Sequence, residues 1–222
     1  MRERIGRAAR TAGRDPEAIR LVAVSKTFPL AAVEAGADAG LTDFGENRVQ
    51  EALGKIDRAG GLRVRWHLIG HLQSNKARAA AGAFDWIHSV DSVKLLRRID
   101  QAAAEAATTP NLLVQVDLAG EVTKHGAPVE AVRPLLATAG ACRAARVRGL
   151  MLMPPWNEDA EATRPYFRRL RELRDALLEE GIAADALGEL SMGMSHDFEV
   201  AIAEGATMVR VGTALFGRRT PH

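Results

Sequence analysis

Short apolar runs recur along the chain and alternate with longer stretches of helical periodicity. The runs Leu21–Ser25, Thr42–Gly45, Trp66–Gly70, Trp86–Val90, Leu112–Leu118, Val147–Met151, Leu187–Met192 and Met208–Gly212 read as strands. Several are apolar at nearly every position, the pattern of strands covered on both faces in a parallel sheet. Helical patterns fall between them, over Leu30–Ala37, Arg48–Ala59, Asn75–Ala81, Ser92–Ala106, Val129–Arg143, Glu158–Glu180 and Asp197–Ala203. One more helix precedes the first strand, ending near Gly13, and one follows the last. Eight strands alternating with helices match a (β/α)8 TIM barrel, an α/β fold, with an extra N-terminal helix. The Pro154-Pro155 pair and the Thr108-Thr109-Pro110 turn punctuate loops, and no stretch reads as a linker, so residues 1–222 are expected to form a single domain. An open doubly wound sheet is the competing architecture. It normally has fewer strands and a glycine-rich first turn, whereas the turn Ser25-Lys26-Thr27-Phe28-Pro29 has no glycine.

In a barrel of this kind the active face lies at the C-terminal ends of the strands, so the residues just beyond each strand carry the chemistry. The first strand ends in Lys26, which alternation places on the same side as Val22 and Val24. An ammonium there is costly unless it is paired or burial lowers its pKa. A neutral amine of that sort forms Schiff bases with carbonyl compounds, whereas a lysine that merely caps the strand reaches solvent. The seventh and eighth strands lead into Ser191-Met192-Gly193-Met194-Ser195 and Gly212-Thr213, small residues and hydroxyls at helix starts. Barrels commonly hold a phosphate there, although Ser and Thr also serve as plain N-caps. Arg210 alternates with Val209 and Val211 and is expected to point into the barrel. Being permanently charged it needs an acceptor, which could be a pyridine nitrogen or simply Asp117 or a neighbouring glutamate. The loop after strand five, Gly120 to Gly126, is also polar.

Composition narrows the classes. The chain has 222 residues, 47% hydrophobic and 26% charged, with a formal net charge of only +2, too balanced to argue for nucleic acid. A single cysteine, Cys142, rules out an intramolecular disulfide and points to a reducing compartment. No run is long enough to span a membrane, and no signal-peptide core stands at the start. The arginine-rich residues 1–20 carry Glu3, Asp15 and Glu17, unlike a transit segment, so a cytoplasmic protein is expected. The basic stretch Arg164 to Arg174 reads as a solvated helix face.

Several motifs then carry a resemblance. Val24-Ser25-Lys26-Thr27, Phe44-Gly45-Glu46-Asn47, Trp66 to Lys76 (Trp-His-Leu-Ile-Gly-His-Leu-Gln-Ser-Asn-Lys), Gly149-Leu150-Met151, Ser191 to Ser195 and Val209 to Gly217 together resemble the pyridoxal phosphate homeostasis protein family over nearly the whole chain. Members look like the barrel domain of alanine racemase standing alone and bind pyridoxal 5'-phosphate without an established reaction. The resemblance implies that Lys26 holds the cofactor as a Schiff base and that Arg210 faces the pyridine nitrogen. It implies that Ser195, Gly212 and Thr213 hold the phosphate, that Ser191, Met192 and Gly193 shape the same loop, and that Asn47 lies near the cofactor. This sequence departs from the family pattern at Ala80, where a larger aliphatic residue is usual, and at Asp117, where asparagine is frequent.

Such a protein is expected to store pyridoxal phosphate or deliver it to dependent apoenzymes, as a monomer or weak homodimer, without strong catalysis. An arginine on the ring nitrogen weakens the cofactor as an electron sink. A racemase also needs a second base, which in alanine racemase is a tyrosine from a separate C-terminal domain, while this chain is read as ending with its barrel. Its only tyrosine, Tyr166, lies in the Glu158–Glu180 helix. A weak racemase or lyase is the alternative. A metal-dependent hydrolase, suggested by His67, His71 and His88, is disfavoured because four strand residues span roughly 13 Å, too far for His67 and His71 to share an ion; no metal ligands and no catalytic residues are assigned.

Overall fold

The structure, a computed structural model, describes residues 1–120 and 125–217. Among the described residues nine strands form, in chain order: β1 (Arg20–Val24), β2 (Asp43–Glu46), β3 (Arg65–Leu68), β4 (Trp86–Val90), β5 (Asn111–Asp117), β6 (Ala127–Pro128), β7 (Arg146–Met151), β8 (Glu189–Met194) and β9 (Met208–Val211). All but β6 close into a ring in the order β4-β3-β2-β1-β9-β8-β7-β5, shut by pairing of β5 with β4. Every pairing is parallel, so all eight C-terminal ends open on one rim. This is the (β/α)8 TIM barrel that the alternation of strand and helix patterns predicts.

The helices are α1 (Arg2–Thr11), α2 (Leu30–Asp38), α3 (Val49–Arg58), α4 (Ala77–Ala83), α5 (Val93–Ala106), α6 (Val129–Ala139), α7 (Arg164–Glu179), α8 (Phe198–Ala203) and α9 (Thr213–Phe216). Ser92 starts α5 by accepting a hydrogen bond from the Leu95 amide, 3.3 Å away. The expected helix Val129–Arg143 stops four residues early. The Asp100 carboxylate takes the amides of Arg143, Ala144 and Ala145 at 2.9–3.1 Å and turns the chain toward β7. The two-residue strand β6, paired only with β5, was not expected. Among the described residues no helix is long and apolar enough to cross a membrane.

Two apolar regions form. The main core lies between ring and helices and contains Phe44, Leu68, Leu96, Leu112 and Phe167, each with no exposed surface. Each contributes about 1.5–3 kcal/mol by burial. A separate small cluster of Trp86, Leu113, Met151 and Met208 fills part of the barrel interior. The basic face of α7 is not merely solvated. Arg164, Arg168 and Arg171 converge at 2.9–3.2 Å on Glu204, which is 4% exposed, tying α7 to the end of α8.

Candidate functional site

Lys26 follows β1 by two residues and is half-buried. Its neighbour Ser25 faces outward, donating to Glu46 Oε1 at 2.6 Å, and the chain turns at Lys26 and Thr27. The turn that carries it is braced from outside the ring. Lys55 Nζ donates to the Ser25 carbonyl at 2.9 Å, to Glu46 Oε1 at 2.8 Å and to Glu51 Oε1 at 3.4 Å. Glu51 in turn accepts the Thr27 amide at 2.6 Å. Thr27 sits at φ 68°, a left-handed conformation rare for a β-branched residue, so the bracing holds a strained peptide beside the lysine. Burial of Glu46 raises its pKa, against the opposing pull of Lys55 and Ser25. Sequence reading missed this brace; its one local signal was the i, i+4 spacing of Glu51 and Lys55.

The ends of β8 and β9 meet beside β1. Gly193 adopts φ +89°, and a Cβ there would stand 2.5 Å from the Ala201 Cβ and 2.9 Å from the Phe198 Cα. Only glycine lets the chain turn this tightly under α8. The Met194 amide donates to Asp197 Oδ1 at 2.7 Å, and the Gly212 amide donates to Ser195 Oγ at 3.2 Å, clamping the two loops together. A Cβ on Gly212 would lie 3.3 Å from both the Cβ and the carbonyl oxygen of Val24, so this cradle abuts the end of the strand that carries Lys26. Phe28 and Phe216 pack with ring centroids 5.3 Å apart, joining the Lys26 loop to α9 just beyond the exposed Thr213. Asn47 is half-buried at the end of β2, with its carbonyl and side chain pressed against Gly70. Ser191 is fully buried, and Met192 packs into the main core, leaving only its backbone to the loop.

Arg210 points into the barrel and is 3% exposed. Its partners are neither Asp117, which caps the amides of Ala119 and Gly120, nor a glutamate. Nη1 donates to the Ser191 carbonyl and to Ser191 Oγ, both at 2.7 Å, and Nη2 donates to the Leu152 carbonyl at 2.9 Å. Nε–H, on the edge of the guanidinium plane away from Nη1, has no acceptor among the described residues. The enclosed side-chain atoms without a partner there are Glu46 Oε2 and Ser89 Oγ. Burial, opposed by Asp197, lowers Arg210 to about 10, which leaves it charged at neutral pH.

Behind Arg210 lies a chain of polar groups that strand periodicity alone does not reveal. His88 Nδ1 is 2.9 Å from Ser191 Oγ, His88 Nε2 is 2.9 Å from His67 Nδ1, and His67 Nε2 is 2.9 Å from Asp43 Oδ1. Burial lowers the pKa of both histidines. Burial alone would raise Asp43, but hydrogen bonds from His67, Arg65 and Thr42 outweigh it and hold the carboxyl well below the usual range. His71 is elsewhere, on the rim, stacked on His125 with ring centroids 3.5 Å apart and 3.8 Å from Asp91. Those three ligand atoms lie within 4.8 Å of one another, yet rings within 11° of parallel present their lone pairs side by side rather than toward one ion. Tyr166 is half-buried on α7 against the core, and burial pushes the Cys142 thiol up to about 11, so that thiol is no ready nucleophile. Residues 121–124 of the polar loop after β5 lie outside the described residues.

The family model for the alanine racemase N-terminal domain matches residues 1–220. A pyridoxal phosphate homeostasis protein of Pseudomonas aeruginosa is 46% identical, over 97% of this chain and 91% of its own. One from Aquifex aeolicus is 45% identical over 98% and 94%. The solved structure of PipY from Synechococcus elongatus PCC7942 with pyridoxal phosphate bound is 42% identical, with a TM-score of 0.84 over 96% of this chain and all of that one.

Proposed function

The chain belongs to the pyridoxal phosphate homeostasis protein family, and from that membership we propose that it binds pyridoxal 5'-phosphate at the β1, β8 and β9 rim. Its role on this reading is to hold the cofactor for storage or for transfer to apoenzymes. The observation that carries the reading is the joining of three features. Lys26 lies two residues beyond β1, the Ser195–Gly212 cradle abuts Val24, and the Nε edge of Arg210 has no acceptor among the described residues. An amine, an anion cradle and a fixed donor suit the aldehyde, phosphate and ring nitrogen of one small molecule.

The cofactor, when bound, supplies an aldehyde that joins an amine as a Schiff base and a ring able to accept electron density. Lys26 is the amine. Ser195, Thr213 and the backbone at Gly212 bind the phosphate, with Gly193 and the Met192 backbone shaping the turn and Asn47 bordering the rim. Arg210 donates a hydrogen bond to the ring nitrogen and keeps its own proton, which suits holding the cofactor better than driving carbanion chemistry. Ser191 acts one layer lower, on Arg210 itself.

Titration with pyridoxal phosphate is expected to give a yellow visible band with saturating 1:1 binding, absent in Lys26→Ala. A band of equal strength in that variant would refute the assignment. Chiral chromatography of amino acids incubated with the loaded protein is expected to show no racemisation above the free cofactor; clear turnover would make the chain an enzyme.

A further inference from the structure

Between the bottom of the barrel and Arg210 runs an unbroken line of hydrogen bonds through groups that are almost wholly enclosed. Asp43 is 2% exposed, His67, His88 and Ser191 have no exposed surface, and Arg210 is 3% exposed. The direction of every proton in it follows from its lower end. Asp43 is surrounded by donors. Arg65 Nε gives to Oδ1 at 2.8 Å, Arg65 Nη2 to Oδ2 at 2.7 Å and Thr42 Oγ1 to Oδ2 at 2.7 Å. A carboxylate held bidentately by a guanidinium is ionised and can only accept. His67 Nε2 must therefore carry a hydrogen. With the ring neutral its Nδ1 is an acceptor, so His88 Nε2 must carry the next one. His88 Nδ1 is then an acceptor, which obliges the Ser191 hydroxyl to point its hydrogen at His88 and turn its lone pairs to Arg210 Nη1. Each link decides the next, and no second arrangement satisfies all of them with both rings neutral.

We propose that Asp43, His67, His88 and Ser191 are a directional relay that locks Arg210 in one orientation and so positions its free edge against the ligand. The inference rests on the reading that this rim binds pyridoxal phosphate. These are positioning residues: on that reading only Arg210 reaches the ligand. The packing around the relay is built to keep it in register. Trp86 stacks on His67 within 3° of parallel at 5.8 Å, and Arg20 lies over Trp86 at 4.9 Å while its Nε comes within 4.0 Å of Asp43. Burial lowers both histidines, which supports the neutral state on which the direction depends. One extra proton on His67 would place a hydrogen on Nδ1 as well, drive His88 to the Nδ1–H form and set two donors against the Ser191 oxygen.

The relay has two signatures. In the ligand-free wild-type chain, 15N-detected imidazole spectra at pH 7.5 are expected to show both His67 and His88 neutral and protonated at Nε2. A His88 protonated at Nδ1, or a cationic His67, would overturn the direction, and this arm needs no variant to fold. The second signature separates the relay from packing. His67→Phe keeps a ring against Trp86 but offers His88 no acceptor, whereas His67→Asn fills the space poorly yet places its carbonyl oxygen where Nδ1 stood. Pyridoxal phosphate affinity is expected to fall about tenfold in His67→Phe, the low end of what loss of a supporting outer contact costs a binding site. It should stay within about threefold of wild type in His67→Asn. Wild-type affinity in the Phe variant, or an Asn variant no better than Phe, would overturn the proposal. Absence of any visible band in wild type would instead overturn the binding-site reading and the ligand half of this inference, while the tautomer spectra would still decide whether the relay exists.

Discussion

Two buried polar networks flank the end of β1, and they are built on opposite principles. The outer one, Ser25–Glu46–Lys55–Glu51, sits between the ring and α3 and closes on itself. A 4% exposed ammonium is matched within 3.4 Å by two carboxylates and a carbonyl. The inner one, Asp43–His67–His88–Ser191–Arg210, keeps its charges at its two ends and joins them through neutral rings and a hydroxyl. A closed ion pair fixes backbone, here the turn of Lys26. An open line fixes the direction of a hydrogen bond far from where it begins. Lys55 is the more buried of the two lysines near this turn, and its charge is matched locally by Glu46 and Glu51.

Breaking the outer network should have the largest effect. Lys55→Met strands Glu46 in the core and is expected to lower stability by about 3–5 kcal/mol, with Glu46→Leu added to it recovering at least half. Urea unfolding of both variants checks this; equal losses in the single and double variants would mean that no compensated pair exists there. Breaking the inner network should cost less, because no net charge is stranded. His88→Phe leaves the Ser191 hydroxyl hydrogen and His67 Nδ1 without partners, while His67 keeps Asp43 and Ser191 keeps Arg210, and is expected to cost about 1–3 kcal/mol in the same assay.

Acid should separate the two by sign. The histidines have folded pKa values below their ordinary 6.5. The unfolded chain therefore binds the extra protons first as pH drops through 6.5, and stability is present above that value and lost below it. Both contributions therefore have the same sign, a loss of stability as the pH falls below 6.5. Asp43, also lowered, adds a loss below its ordinary 3.8. Glu46 is raised, so its term runs the other way, present at low pH and lost as pH rises through its folded value. Urea midpoints measured from pH 7.5 to 5 should fall in wild type and flatten in a His67→Asn/His88→Phe double variant; an unchanged slope would place the acid sensitivity elsewhere. The smallest effect belongs to the exposed pair Arg4–Glu199, 44% and 49% exposed, where Arg4→Gln is expected to change stability by no more than about 1 kcal/mol.

Strand and helix periodicity made the barrel legible before any coordinates, because nearly continuous apolar runs and intervening helical patterns admit few other closures. All eight strands of the ring stand where their apolar runs lie, displaced by no more than two residues at either end. Lys26 and Arg210 were legible too, as charges placed out of pattern among valines. What stayed hidden depends on contacts between distant strands. Nothing local to Asp43, His67, His88 or Ser191 says that 24, 21 and 103 residues of separation close to 2.9 Å. The same blindness kept Asp117 or a glutamate open as one alternative partner for Arg210, since carbonyl acceptors such as those of Leu152 and Ser191 leave no trace in residue type. The end of α6 was misjudged for a related reason, because Asp100, 43 residues away, captures the Arg143 amide.

The reading of Lys26 as the cofactor's amine is tested most directly by reducing the pyridoxal phosphate complex with borohydride and mapping the adduct by peptide mass spectrometry. The chain has only five lysines, Lys26, Lys55, Lys76, Lys94 and Lys124, so the label can be assigned without ambiguity. A single phosphopyridoxyl group on Lys26 is the predicted result. A label centred on any of the other four, or spread evenly over the exposed ones, would contradict it.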